Sequence, residues 1–374
     1  FILFKNESCL ANSCIKGAIH MEITVTKTKT PKAHPAEDNL VFGKYFTDHM
    51  LLADYSEEKG WHAARIVPFG PLSIHPAATV LHYGSEIFEG LKAYRTPSGS
   101  VQLFRPRENI RRLNRSAERL GLPQIEEETM LSLLLSLVRL EKDWVPHRAG
   151  TSLYIRPFLF GNDESLGVHS IHRATLAVIL SPVGAYYPQG LSPVKICIET
   201  EDVRAVRGGT GYAKCGGNYA ASVRAAQKAE VQGFSQVLWL DGVQRKYIEE
   251  VGAMNVMFKL GDTVVTPKLT GSILPGITRD SCIRLLHELG CPVEERLLSA
   301  EELFAAGENG SLAEAFGTGT AAVISPIGLL RMNDREFTIN HFEIGPLSRR
   351  LYDTLTGIQW GTLPDPWGWT IPVE

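Results

Sequence analysis

Lys214 sits in GYAKCGGNYAAS, Gly211 to Ser222, a glycine-rich bend ahead of an alanine-rich run. Glycine tolerates backbone conformations that bring chain and ligand close together, so an amine in such a bend can be held against a ligand. Taken alone, the segment fits a plain turn with a solvated lysine equally well, because most lysines are surface charges and most glycine pairs are turns. Glu249 and Glu250 are adjacent in YIEEVGAMN. If that stretch is a strand, the two carboxylates face opposite sides and only one can enter a site. A phosphate group needs converging N–H donors and a fixed cation. LPGIT (Leu274 to Thr278) ahead of a helix, the glycine-rich GTGT (Gly317 to Thr320) and an arginine of RENIRRLNRSAERL can supply them together. Tyr83, Phe88, Tyr154 and Tyr186, read singly, each fit a core.

These residues need elements to hold them. Short strands and two helices run from about Ala64 to Ala185, with a hairpin whose TPSGS turn separates EGLKAYR from VQLFR. Helical spacing covers Arg107 to Leu120 and Glu126 to Lys142, the second with Met130, Leu133, Leu134, Leu137 and Leu140 on one stripe. TLAVILSP reads as a buried strand, and the Pro- and Gly-rich AYYPQGLSP after it reads as an interdomain linker. Beyond it follow a strand (Val194 to Glu199), an alanine-rich helix from about Tyr219 to Gln232 and the strand QVLWLD. A hairpin of MNVMFKL and TVVTPKL about Gly261-Asp262 comes next, then a helix opening near Gly276. Ser299 and Glu302 form a capping box for Ala300 to Ala306. The fold class expected is α/β, an α+β small domain at 40–185, a linker at 186–193 and a mixed α/β large domain at 194–374. Residues 1–20 are expected to be an extension outside the fold, and 22–39 a mobile arm contributing little to any site.

Several function classes are excluded or disfavoured. A chain of 374 residues with 44% hydrophobic and 21% charged residues suits two globular domains, and a net charge of -3 gives no broad pull toward nucleic acid or an anionic membrane. No uncharged apolar run is long enough to span a bilayer. The six cysteines show neither C-x-x-C nor metal-finger spacing, so no disulfide scaffold or zinc site is expected and a reducing cytoplasm fits best. Nucleotide binding lacks its G-x-x-x-x-G-K-[ST] signature, and no repeat period emerges.

The chain resembles the branched-chain amino-acid aminotransferases, from Phe46 essentially to the C-terminus. The resemblance is carried, in order, by FTDHM, LHYGSEIFEGLKAYR, FRPRENIRRLNRSAERL, SLYIRPFLFGNDESLGV, SPVGAYYP, AKCGGNYAAS, YIEEVGAMN, LPGITRD and GTGTAAVISP. It implies a fold-type IV enzyme, usually a homodimer, with pyridoxal 5'-phosphate between two α/β domains. It assigns Lys214 the Schiff base with the cofactor and the transfer of the substrate α-proton. Glu250 then pairs with the pyridine nitrogen, Tyr219 with the phenolate oxygen, and Arg112, Ile277, Thr278 and Thr320 with the phosphate. Arg111, Arg115 and Arg119 share the helix of Arg112 and read as solvated or structural. The resemblance gives Tyr83, Phe88, Tyr154, Arg156 and Tyr186 to the substrate side chain, and the amides of Thr320 and Ala321 to its α-carboxylate.

The implied reaction is ping-pong transfer from L-leucine, L-isoleucine or L-valine to 2-oxoglutarate, giving branched-chain 2-oxo acids and L-glutamate. Two departures stand out. GTGTAAVIS lacks the C-x-x-C redox pair of the mammalian enzymes, which points to a bacterial type, and Ala253 stands where those enzymes carry threonine. A D-amino-acid aminotransferase or aminodeoxychorismate lyase would share Lys214, Glu250 and Arg112 but not SLYIRP or VGAYYP. A non-catalytic pyridoxal-phosphate-binding protein would not need the substrate residues.

Overall fold

The computed structural model describes residues 21–184 and 191–374. In chain order its elements begin with β1 (Thr24–Val25), β2 (His49–Ser56), β3 (Gly60–Pro68), α1 (Thr79–Tyr83), β4 (Glu86–Phe88), β5 (Leu91–Arg95) and β6 (Val101–Phe104). Next come α2 (Pro106–Leu120), α3 (Glu127–Leu140), β7 (Ser152–Gly161), β8 (Arg173–Val183), β9 (Val194–Glu199), α4 (Gly216–Ala220), α5 (Val223–Val231) and β10 (Gln236–Leu240). The chain continues through β11 (Ile248–Val251), β12 (Asn255–Leu260), β13 (Thr263–Pro267), α6 (Ile277–Glu288), β14 (Val293–Arg296) and α7 (Ala300–Glu308). It ends with β15 (Leu312–Gly319), β16 (Val323–Met332), β17 (Arg335–Thr338), α8 (Pro346–Gln359) and β18 (Thr370–Val373). Two compact units result, one from the residues up to Gly184 together with Gln359–Glu374, the other from the residues after Gly184 up to Ile358.

The first unit is built on a sheet of order β1-β3-β2-β8-β7-β5-β6-β18, with β4 added on β7. All its pairings are antiparallel except β1 on β3. The TPSGS turn closes the β5–β6 hairpin through Thr96 N–H donating to Ser100 O at 2.9 Å, with Gly99 at φ 84°. That left-handed conformation favours glycine. The α3 stripe is core, with Met130, Leu133, Leu134 and Leu137 at most 1% exposed.

Two expectations change in this unit. Residues 22–39 are not a loose arm over their whole length: Ile23 is fully buried, β1 pairs with β3, and the Lys32 N–H donates to Asp48 at 2.9 Å. The C-terminal segment, expected in the large domain, returns to this unit because β18 pairs with β6 from Thr370↔Phe104 to Val373↔Val101. Residues 1–20 and most of the expected linker lie outside the described residues.

The second unit has a sheet of order β11-β10-β9-β16-β15-β12-β13-β14, with β17 on β16. It is mixed: β9 pairs in parallel with β10 and β16, and β13 with β14, while the other pairings are antiparallel. Its core gathers Val256, Phe258, Leu298, Leu303, Phe304 and Leu330. The single helix expected from Tyr219 to Gln232 is instead α4 and α5. The Ser222 hydroxyl donates back to Tyr219 O at 2.7 Å at the break, a side-chain bond that competes with the helical ladder. Among the described residues no helix is long and apolar enough to cross a membrane.

Candidate active site

In the second unit, Lys214 lies just before α4, in a turn that Asn218 locks. The Asn218 amide donates to Thr210 O at 2.8 Å and Ala213 O at 2.9 Å, and its oxygen accepts from the Thr210 hydroxyl at 2.8 Å. The chain is also pressed close here, since a Cβ on Gly211 would fall 2.2 Å from Ser272 O. Held this way, Lys214 Nζ donates to the Tyr219 hydroxyl at 2.7 Å and lies 5.1 Å from the ring centroid.

Glu250, on β11, is 3% exposed and pairs with Arg204 at 2.6 Å, while the Asn255 amide donates to its other oxygen at 3.2 Å. Burial pushes its carboxyl up to about 7 against the opposing pull of Arg204, the Leu274 N–H and Lys214. Glu249 turns the other way and accepts from the Ser272 hydroxyl, as strand alternation requires. Burial raises its carboxyl as well.

Arg204 also donates to Gly211 O at 3.0 Å and to Ser272 O, so one guanidinium ties the lysine loop and the 272 segment to Glu250. The sequence reading missed Arg204, Asn218 and Asn255. Only the asparagine of GGNY carried a local signal, for Glu250 and Ser272, which Arg204 joins to the lysine loop, are remote from it in sequence.

Ile277 and Thr278 open α6, whose N-cap is Gly276 and has no side-chain cap. A Cβ on Gly276 would strike Asn255 Oδ1 at 1.9 Å, so the close approach that seats Asn255 beside Glu250 requires glycine. Thr320 and Ala321 form the turn between β15 and β16, next to strand positions where Asn255 pairs with Thr318. Thr318 Oγ1 is buried without a hydrogen-bond partner. Ala253 is exposed.

The first unit holds the remaining residues. Arg156 and Tyr154 share one face of β7, with the Arg156 guanidinium 4.8 Å from the Phe88 ring centroid, 5.3 Å from that of Tyr154, and donating to the Tyr154 hydroxyl at 3.2 Å. Arg156 Nε is buried without a partner. Tyr83 ends α1 and its hydroxyl donates to Leu166 O. Tyr186 lies outside the described residues. Arg112 is buried and clamped by Glu89 through Nε–Oε1 at 2.7 Å and Nη2–Oε2 at 2.9 Å. Asn109 donates to the same carboxylate at 2.7 Å, a partner set that the basic helix gave no hint of.

Amine, phenol, buried carboxyl and an uncapped helix start are the groups that an aldehyde, a phenolate, a ring nitrogen and a phosphate require. The second unit thus fits pyridoxal 5'-phosphate by its donor set, and the orphaned Thr318 hydroxyl leaves one more donor there.

The family model described as amino-transferase class IV matches residues 86–330. Branched-chain-amino-acid aminotransferase 2 of Bacillus subtilis (strain 168) is 54% identical over 353 residues, 94% of this chain and 97% of that protein. Branched-chain-amino-acid transaminase 1 of the same organism is 51% identical over 93% of this chain and 98% of its own. Among solved structures, the Escherichia coli branched-chain amino acid aminotransferase is similar with a TM-score of 0.73 at 27% identity, over 87% of this chain and 99% of that one. The branched-chain aminotransferase of the archaeon Thermoproteus uzoniensis, solved with norvaline, gives 0.71 at 27% identity, over 87% of this chain and 100% of that one. The chain therefore belongs to the class IV aminotransferases, in their branched-chain-amino-acid aminotransferase family.

Proposed function

We propose that this aminotransferase moves the amino group of L-leucine, L-isoleucine or L-valine to 2-oxoglutarate through pyridoxal 5'-phosphate, reversibly and by a ping-pong sequence. The observation that carries the reading is Lys214 Nζ on the Tyr219 hydroxyl at 2.7 Å, in a loop that Arg204 ties to the buried Glu250. When bound, pyridoxal 5'-phosphate supplies an aldehyde that condenses with amines and a ring that takes up the electron pair left when a proton departs.

Lys214 is the tether and the base. Its Nζ takes the α-proton of the substrate and returns it, and the Tyr219 hydroxyl orients the amine between those steps. Glu250 Oε1 and Oε2, fixed by Asn255 and Arg204, hold a proton on the ring nitrogen. Ile277 and Thr278, at the start of α6, and Thr320 receive phosphate oxygens, in the favourable field of a helix N-terminus. Arg112 is assigned to the same phosphate, oriented by Glu89. The amides of Thr320 and Ala321 take the α-carboxylate. Phe88, Tyr154 and Tyr83 give apolar walls to a branched side chain, while Arg156 takes the second carboxylate of 2-oxoglutarate or glutamate. Arg156 Nε, buried and unpartnered, supports this role. Tyr186 belongs to the same assignment, and a homodimeric cytoplasmic enzyme is part of the proposal.

Glutamate formation from L-leucine and 2-oxoglutarate, with purified protein and added cofactor, tests the reading. Transfer is expected for all three amino acids and lost in Lys214→Ala. Transfer only from D-alanine, release of pyruvate from aminodeoxychorismate, or cofactor binding without turnover would each replace the proposal with the corresponding rival.

A further inference from the structure

We infer that Asp163, His169 and His172, on the connection from β7 to β8, form a site for one divalent transition-metal cation of the zinc type. One ligand atom from each lies within 4.8 Å of the others. His172 Nδ1 stands 3.6 Å from Asp163 Oδ1. That is beyond a good hydrogen bond. It is close to the spacing of roughly 3.4 Å between two ligand atoms that share a tetrahedral ion at about 2.05 Å.

The carboxylate has need of a cation. Asp163 is 6% exposed and receives only long N–H contacts, at 3.2 to 3.3 Å, from the main chain of His172 and Arg173. Its ion-pair partner among the described residues is the His172 ring. A buried carboxylate held by long contacts alone has room for a metal ion as a closer partner.

The far nitrogens of both rings already face acceptors. His169 Nδ1 lies 2.7 Å from Ser170 O, which places the proton on Nδ1 and leaves the Nε2 lone pair for a metal. His172 turns Nδ1 to Asp163 and Nε2 to Glu57 Oε1, 3.8 Å away. A ring nitrogen toward the metal with the other toward a carboxylate or carbonyl is the arrangement that fixes tautomer and orientation in metal-binding histidines. The two rings are stacked, 5.2 Å between centroids and 13° apart, and a His169 ring nitrogen already lies within 4.8 Å of the other two ligand atoms, so a small shift of this side chain, which is not buried, closes the sphere. Water completes the coordination.

Binding would staple a connection that carries two anchors of α1. The Thr79 N–H donates to Asp163 O at 3.1 Å, and the Tyr83 hydroxyl donates to Leu166 O.

The test is isothermal titration of the full chain, dialysed first against a chelator, with zinc chloride in a non-coordinating buffer. One equivalent per chain is expected, together with a zinc-dependent rise in thermal midpoint. His169→Ala and His172→Ala should each weaken binding by roughly tenfold or more and remove that rise, and Glu57→Gln should weaken it by roughly tenfold. Unchanged midpoints without metal show that the variants fold. No uptake by the wild-type chain overturns the inference, and so does uptake that neither histidine variant changes, which would place zinc elsewhere on the chain.

Discussion

Glu250 is held between two opposing demands. Its contact with Arg204 at 2.6 Å favours the ionised carboxylate, while burial favours the neutral acid, and the balance sits at about 7. Because the folded value is raised, the carboxylate that a protonated ring nitrogen needs is present above pH 7 and is lost as pH falls through it. The affinity of the cofactor-free protein for pyridoxal 5'-phosphate should therefore decline from pH 8 to pH 6. In Glu250→Gln, affinity should be weak and that part of the pH dependence missing. Fluorescence titrations at several pH values check this, and equal pH profiles in the two proteins would remove Glu250 from the role.

Gly90 offers a test on the substrate side. A Cβ there would lie 1.9 Å from the Tyr154 hydroxyl, so Gly90→Ala must displace the ring on which Arg156 rests. A displacement of about 1 Å in a positioning group costs up to roughly a hundredfold in rate. The kcat/KM for 2-oxoglutarate should fall by about 10- to 100-fold. Titration should show cofactor affinity changed far less than kcat/KM, because Lys214, Tyr219, Glu250, Ile277 and Thr278 belong to the other unit.

At the scale of elements, the helix that starts at Ser299 separates a real cap from an apparent one. The Ser299 hydroxyl accepts from the Glu302 N–H at 3.1 Å, as the S-x-x-E spacing predicts. The returning half of the box is absent, because the Glu302 carboxylate is taken by Arg296 at 2.6 and 3.1 Å. Ser299→Ala should cost about 1 kcal/mol. Glu302→Ala should cost less, roughly 0–1 kcal/mol, since it breaks only a partly exposed ion pair. Urea denaturation of the two variants checks the order.

Local chemistry of this kind was what the sequence displayed. Turn residues announced the β5–β6 and β12–β13 hairpins, and a 3.6-residue stripe announced α3. The break between α4 and α5 was hidden, because Ala and Gly set no period strong enough to reveal where a serine would interrupt the ladder. The lysine motif was legible for the same reason as the turns, being contiguous. Arg204 and Glu89 act on residues far along the chain, and no local spacing encodes such pairings.

At the scale of the whole chain, the first unit depends on residues that arrive last. The Trp369 ring is 6% exposed, packs edge-on to Phe104 at 5.6 Å and lies 5.1 Å from the Arg105 guanidinium, while its carbonyl accepts from Arg105 N–H at 2.7 Å. Arg105 is the N-cap of α2 and has a left-handed φ of 48°, a strained conformation for a side chain with a Cβ, so its bond to Trp369 holds the start of that helix. Trp360 adds an N–H donated to Thr151 O at 3.0 Å and an edge contact with Tyr94. Deleting residues 361–374 uncovers the β6 edge and removes the Trp369 packing, which alone is worth about 3–5 kcal/mol. Hydrogen exchange should then show lost protection in β5, β6 and the first turn of α2, while β12 and β15 keep theirs because their core lies in the other unit. Loss spread equally through β12 and β15 would mean that the two units unfold together, and the C-terminal strand would then be a closure of the whole fold instead of one unit's edge.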